Sequence, residues 1–519
     1  MVTTFCVGKC IYKRLEASDC CFGVIIDRNK LQRLFNAFRM PLAIATALFI
    51  VIYIIMDISM DTPRNLTSLS GVAFLIIALF VFSQDPSRVK WRPVFWGLAL
   101  QFLFALLILR WRFGLLAFKW LGERVYEFLS YTDKGSMFVF GEKYTDHFFA
   151  FKALTVVVFF STTVSVLYYL GVMQFIICTI ARFMASTLGT SPTESLNAAA
   201  NIFIGHSEAP LLIKPFLPEM TKSELHAVLT GGFATIAGTV MAAYILINVP
   251  ANHLLSASVM SAPAALAMSK LIYPETGRPI TDPDKVYQMN KFQERNVIEA
   301  ASNGASQSIT LIANIAVNMI AFIAMLEFVN ATLDWFGARV GLEPPEYERL
   351  TFQFLCSYIF WPIAAMMGVD VADCRKVAEM IGTKIFINEL VAYTELSVYM
   401  ANKQNLTWYE QKTQNMSSLI ANGSDVTRWY YSGEDIVYAD LNITLRKGIL
   451  SDRSTVISTY ALCGFSNISS LGIMLGALGA LAPSRKTDVS TLVVSAMVTG
   501  NAACFLTACI AGLLYRGDV

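Results

Sequence analysis

Apolar positions fall in runs rather than in alternation. The stretches 40–56, 65–84, 93–109, 153–181, 227–269, 300–326, 350–369, 454–484 and 489–515 contain no Asp, Glu, Lys or Arg. Each is long enough, or nearly so, for a helix to cross the ~30 Å hydrocarbon layer of a bilayer. Barrel strands alternate over only about 10 residues, so a β-barrel is excluded. The pattern predicts nine transmembrane helices, at 40–57, 68–84, 93–109, 149–170, 226–247, 253–273, 305–329, 454–479 and 488–515. Between them, 111–147 predicts an amphipathic interfacial helix with a loop, 172–187 a second interfacial helix, and 350–369 one broken at Trp361-Pro362. The fold class is an all-α polytopic membrane protein.

Two segments fit neither a lipid-facing helix nor a water-exposed loop. Residues 191–220 mix Glu, Asn, His, Lys and several prolines with apolar runs around Gly205–Ser207. Residues 372–400 mix Glu, Lys and Asn with apolar residues in the same way. Irregular backbone at membrane depth is tolerated where it is buried in protein or lines a cavity, so both read as re-entrant helical hairpins. The two also resemble each other. Ile202-Phe203-Ile204 precedes Glu208, and Ile385-Phe386-Ile387 precedes Glu389. Each is followed by a span rich in Gly, Ser and Thr and then by a closing span. One unit enters from inside and the other from outside, which makes an inverted repeat, and interrupted helices in inverted repeats mark secondary transporters. The chain divides into an N-terminal segment 1–39, N-terminal helices 40–148, a first repeat 149–273, a loop 274–304 and a second repeat 305–516 carrying an insertion at 401–453.

Composition agrees with the pattern. Of 519 residues, 15% are charged and 55% are hydrophobic, with a mean hydropathy of +0.53; a soluble domain carries roughly 25% charge. The net charge of +2 comes from basic residues scattered at span ends, with no patch suited to nucleic acid. Basic residues before the first span place that segment in the cytoplasm, and nine crossings then put the C-terminus outside. No cleavable signal peptide is expected, because residues 1–39 lack an early apolar core. Cys6, Cys10, Cys20 and Cys21 lack metal-ligand spacing and are candidates for palmitoylation. The insertion carries sequons at Asn405, Asn415, Asn422 and Asn442 in a segment predicted to face outside. Sequons at Asn65 and Asn330 also fall on outside loops, whereas that at Asn467 lies within a span.

Glu208 and Glu389 are carboxylates in apolar surroundings, one per hairpin. Such a group at the bilayer centre costs at least about 2.5 kcal/mol and marks function. Around them stand His206, Ser207, Asn388, Asn467, Ser469 and Ser470, a set suited to a neutral solute with several hydroxyls, and Phe465 offers a face for a flat ring. Broken helices free carbonyl oxygens that suit a hard cation such as Na⁺. Asn201, Thr235 and the carbonyls of Ile204 and Ile236 are candidates for that role. A lone histidine in a membrane segment is usually a polar group satisfied by its neighbours; at the hairpin tip beside Glu208, His206 reads alternatively as a substrate contact or a pH-sensitive coupling group. No GxxxxGK[ST], HExxH or GxSxG string is present, so nucleotide hydrolysis and protease or lipase chemistry have no support, and the expectation is a transporter without enzymatic activity.

The strings "AANIFIGHSEAPLLIKPFLPEMTKSELHAV", "TGGFATIAGTVMAAYI", "ERNVIEAASNGA", "INELVAY" and "ALCGFSNISSLGI" resemble the concentrative nucleoside transporter family, solute carrier family 28, over about 68–516. The resemblance implies a sodium- or proton-coupled nucleoside importer of the plasma membrane, built as a homotrimer with a mobile transport part. It implies nucleobase contacts at His206, Ser207 and Glu208, ribose contacts at Glu389, Asn467 and Ser470, an aromatic neighbour at Phe465 and an apolar one at Val240. The sodium site falls on Asn201, Ile204, Thr235 and Ile236. His206 stands where the family usually has Gln, Ser207 where it has Thr, and Leu390 where it has Phe. Gly205 and the Thr239-Val240 pair look more like purine-accepting or broad relatives than pyrimidine-restricted ones. Vertebrate relatives carry three further N-terminal spans where this chain has room for one, and the insertion at 401–453 is longer than usual.

Overall fold

The computed structural model describes residues 28–277, 279–280, 286–287, 294–342, 348–417, 429–433, 435–438 and 443–517. The four N-terminal cysteines and the sequons at Asn422 and Asn442 lie outside them.

Helix α1 (Arg28–Tyr53) continues through a π-helical turn and a final helical turn to Asp61. Helices α2 (Thr67–Val81) and α3 (Trp91–Ala105) follow as a pair, and α3 runs on to Arg110. Helices α4 (Arg112–Ser130) and α5 (Thr132–Phe140) fill the predicted interfacial stretch. Trp111, Phe113, Leu116 and Trp120 of this stretch stay exposed, as suits a helix lying along the headgroups.

A series of elements then occurs twice. The first comprises α6 (Leu154–Tyr169), α7 (Val172–Leu188), α8 (Pro192–Ala200) with a 3₁₀ return over Ala209–Glu219, the pair α9 (Lys222–Ala234) and α10 (Gly238–Leu246), and α11 (Ala251–Ile272). The second comprises α12 (Val297–Arg339), the short α13 (Phe352–Ile359) and α14 (Trp361–Met367), α15 (Cys374–Phe386) with α16 (Glu389–Ser417), the pair α17 (Asp452–Leu462) and α18 (Ile468–Leu481), and α19 (Lys486–Leu514). Each reads as a long helix, an amphipathic stretch, a hairpin, a broken helix and an unbroken one.

Among the described residues, eight helices are long and apolar enough to cross a membrane, and with the broken α17–α18 pair they match the nine predicted spans. The all-α reading stands. The structure differs from the sequence expectation in five places. The span expected at 226–247 is interrupted at Thr235–Ala237, and that at 454–479 at Cys463–Asn467. Thr235-Ile236-Ala237 shows no marked drop in hydropathy, and the second break is marked only by Gly464, Ser466 and Asn467 within an apolar span. The span expected at 305–329 is the middle of the 43-residue helix α12, whose polar ends remain helical. The second hairpin does not end at 400, because α16 continues into the insertion, where three antiparallel strands, β1 (Trp429–Ser432), β2 (Asp435–Tyr438) and β3 (Ile443–Leu445), pack on its end. Finally, the sequon asparagine Asn65 is buried, and its amide donates to the carbonyls of Leu513 (3.3 Å) and Tyr515 (2.5 Å), tying α2 to the end of α19.

Local chemistry explains the starts and stops. Gly189 in the left-handed region closes α7, and Ser191 with Glu194 forms a capping box that opens α8. Thr221 with Glu224 does the same for α9. The cap of α18 is Asn467, whose Oδ1 accepts the Ser470 N–H at 2.8 Å. The insertion has its own small core of Leu406, Tyr409, Ile436, Tyr438 and Leu445. It is fastened to α16 by Asn402, which donates to the carbonyls of Arg446 and Gly448, both at 2.8 Å.

Candidate functional site

The two helix breaks meet at the centre of the fold. Thr235 is extended after the end of α9. Its carbonyl accepts the Phe465 N–H at 3.2 Å, from the break between α17 and α18. Gly464 sits at φ +140°, where a Cβ would lie 2.6 Å from Cys504 Sγ and 2.8 Å from the Phe233 carbonyl. Only glycine lets the two chains approach this closely. The tip of the first hairpin joins the same crossing, because the Gly238 N–H donates to the Phe203 carbonyl at 3.2 Å.

One side of the crossing is polar and aromatic. Glu389, at the start of α16, is buried and accepts from Tyr244 Oη at 2.8 Å and from Asn467 Nδ2 at 2.7 Å. Each carboxylate oxygen therefore has one fixed donor and a lone pair to spare. His206 lies in the tip of the first hairpin, with its ring 4.6 Å from that of Phe465. It is 8% exposed, and neither ring nitrogen has a protein partner. Val240, Phe465 and Ser470 are buried around it, and Ser207 is half-buried. The expected cluster thus forms through Phe465 and Asn467, which link one hairpin tip to the other. Glu208 stands apart. Its side chain is exposed, and its carboxylate meets the Gly205 backbone rather than His206 or Glu389.

The other side is built of helix ends. Helix α8 stops at Asn201 and α9 at Thr235, and the last carbonyls of a helix have no intrahelical donor. Both ends carry the negative pole of their helix, which favours a cation. Asn201, Ile204, Thr235 and Ile236 are all buried here. Thr235 Oγ1 donates to the Gly231 carbonyl at 2.8 Å, so its lone pairs remain available as acceptors. Both polar atoms of the Asn201 side chain are buried and unpartnered. The Asn201 Oδ1 and the free carbonyls at these helix ends are the kind of oxygen donors that can hold a hard cation.

Several neighbours were not singled out in the sequence. Tyr244 donates to Glu389 and packs at 4.7 Å from the Tyr393 ring. Lys384, fully buried, donates to the Ala461 carbonyl at 2.9 Å and lies 5.6 Å from the Phe505 ring centre. Lys270, on α11, pairs with Glu194 at 2.7 Å and Glu275 at 3.3 Å. The signal for both lysines was present, since each is a cation next to or within an apolar run, where such groups are rare and paired.

Comparison with known proteins decides the family. Residues 253–424 and 429–512 match the family described as Na⁺ dependent nucleoside transporter, C-terminus, and 70–143 match its N-terminus. Residues 150–249 match a domain described as Gate, nucleoside recognition. Sodium/nucleoside cotransporter 1 of Homo sapiens is 44% identical over 483 residues, covering 93% of this chain and 69% of that protein. This chain belongs to the concentrative nucleoside transporter family. Solute carrier family 28 member 3 of Mus musculus is 50% identical over 469 residues, which span 90% of this chain and 62% of that transporter's length. The chain thus spans under two thirds of the length of that relative. Among solved structures, this chain is similar to CNTnw in an inward-facing substrate-bound state, with a TM-score of 0.73 and 32% identity over 87% of this chain and 98% of that one. A CNTnw variant in an outward-facing state gives a TM-score of 0.74 at the same identity.

Proposed function

We propose that the protein is a sodium-coupled concentrative nucleoside importer, a symporter with no chemical step. One observation carries the reading. The Phe465 N–H to Thr235 carbonyl bond joins a substrate side, with Glu389, Asn467 and His206, to a cation side, with the orphaned Asn201. A cation drawing on Thr235 and Ile236 orders the backbone that positions Phe465, so each ligand improves the site for the other. In this reading the ribose hydroxyls donate to Glu389 and approach Asn467 and Ser470. The base lies between Phe465 and Val240, within reach of His206, Ser207 and Glu208. Gly205 and the Thr239-Val240 pair leave room for purine as well as pyrimidine nucleosides. The hairpins and broken helices move together as one transport part, in an elevator-like alternation within a homotrimer of the plasma membrane. The N-terminus is cytoplasmic and the C-terminus extracellular. Asn405, exposed on α16, carries a glycan, as do Asn415, Asn422 and Asn442.

The test is uptake of labelled uridine and adenosine by cells expressing the chain, with sodium replaced by choline at several pH values. Sodium-dependent uptake of either nucleoside supports the proposal. Uptake that is stimulated by acid and indifferent to sodium replaces it with proton coupling, for which the buried, unpartnered His206 is the group to substitute. Uptake indifferent to both ions overturns coupling altogether.

A further inference from the structure

Ser466 lies between Phe465 and Asn467, the two residues that link one hairpin tip to the other. It is fully buried and forms the apex of a tight turn, in which the Asn467 N–H donates to the Phe465 carbonyl at 3.0 Å. Gly464, just before the turn, has no side chain to restrict its torsions, so the turn needs an anchor from outside. Asn501 of α19 supplies one. Its Nδ2 donates to the Ser466 carbonyl and its Oδ1 accepts from Ser466 Oγ, both at 2.9 Å. The pair is reciprocal and buried. A further bond, from Nδ2 to the Met497 carbonyl at 3.4 Å, holds the amide to its own helix.

The same stretch of α19 backs the other break. A Cβ on Gly500 would lie 2.6 Å from Phe233 Cβ and 3.4 Å from the Ala234 nitrogen, so this glycine admits the end of α9. Cys504, one turn on, turns its thiol to both breaks, 2.7 Å from the Cys463 carbonyl and 3.6 Å from the Ala234 carbonyl. Helix α19 is unbroken here and buried from Thr499 to Leu514. It is a rigid backing for two irregular segments, and Asn501 grips the second of them at its apex.

We propose that Asn501 is a positioning residue for the solute site. It acts through Ser466 to aim the Phe465 ring and the Asn467 amide, the latter toward Glu389, and touches neither solute nor cation itself. This rests on the nucleoside reading of that site. The bonds of Asn501 fall on the second break, whereas Asn201, Ile204, Thr235 and Ile236 lie on the first hairpin and the first break. Its loss therefore weakens nucleoside binding and leaves sodium binding to the nucleoside-free protein in place.

The test uses the full-length protein. In detergent it measures thermal stabilisation by sodium alone and by adenosine or uridine in saturating sodium. In vesicles it measures adenosine uptake against adenosine concentration. Asn501→Leu keeps the shape of the side chain and removes both polar atoms. It is expected to raise half-saturating adenosine about tenfold, the equivalent of about 1.4 kcal/mol, with stabilisation by sodium alone as in wild type. Ser466→Ala removes only the hydroxyl and is expected to raise it about threefold. Added to Asn501→Leu, Ser466→Ala should change nothing more, because both act through one contact. A merely structural role lowers the melting temperature and leaves half-saturation unmoved. That result in Asn501→Leu, or in Ser466→Ala where the first variant does not fold, overturns the inference. Equal loss of the response to sodium alone overturns the assignment of Asn501 to the solute site. A wild type that neither nucleoside stabilises overturns the nucleoside reading itself.

Discussion

Tyr244→Phe isolates the orientation of Glu389 from its presence. The substitution deletes one hydroxyl. It keeps the ring and its 4.7 Å contact with Tyr393, so packing is preserved. The lost bond, 2.8 Å from Tyr244 Oη to Glu389 Oε1, is buried on both sides. Losing one partner of a buried hydrogen bond costs about 1–3 kcal/mol. If that orientation is used to receive ribose hydroxyls, half-saturating nucleoside rises by about tenfold, since about 1.4 kcal/mol is one decade. The assay is the concentration dependence of nucleoside uptake at saturating sodium, normalised to surface expression. Asn467→Ala is the contrast. It removes the other donor to Glu389 and also the cap of α18, for a further loss of about 1 kcal/mol of stability. Tyr244→Phe should thus weaken uptake affinity with a modest fall in melting temperature, while Asn467→Ala weakens affinity and lowers the melting temperature further. Wild-type half-saturation in a normally expressed Tyr244→Phe protein would refute the claim that Glu389 binds substrate in the orientation seen here.

Three further substitutions probe the frame. Lys384→Met keeps the length of the buried side chain but leaves the Ala461 carbonyl without its donor, and a loss of about 1–3 kcal/mol is expected as a lower melting temperature in detergent. Lys270→Met leaves Glu194 and Glu275 buried without their cation, which costs about 3–5 kcal/mol and should sharply reduce folded, surface-expressed protein. Restoring neutrality with Glu194→Gln in the same chain should recover part of that loss. Gly464→Ala forces a Cβ against Cys504 and the Phe233 carbonyl at a positive φ, and it should abolish assembly of the crossing, read as loss of monodisperse protein on size-exclusion chromatography.

Hydropathy located the crossings because lipid demands uninterrupted apolar helices. The first hairpin was legible from Gly205 and its prolines, which no spanning helix would tolerate together. The two breaks at Thr235–Ala237 and Cys463–Asn467 were not, although Thr235 and the Ile236 carbonyl had been marked for another reason. The first break reads as continuous helix and the second carries only Gly464, Ser466 and Asn467 within an apolar span, and the close approach of the two segments at Gly464 and Gly238 makes them turn. Tyr244 was overlooked because a phenol in an apolar run acquires meaning from what lies opposite, and that is a property of packing. Glu208 shows the reverse. Its sequence setting matches that of Glu389, yet its carboxylate meets the Gly205 backbone rather than a side chain of the other hairpin. The strands of the insertion follow from Trp429-Tyr430-Tyr431 and Ile436-Val437-Tyr438, whose β-formers are short enough to hide in a polar segment.

Helix α16 begins at Glu389 and runs without a break to Ser417. Asn405 lies sixteen residues along it, about 24 Å at 1.5 Å per residue. An unbroken helix is a stiff rod, so whatever displaces Glu389 along the axis displaces Asn405 with it. In the proposed reading, the sequon at Asn405 is thus an external pointer to Glu389. A fluorophore at Asn405 would register the stroke of the transport cycle, and a bulky antibody seated there would act as a brake on it.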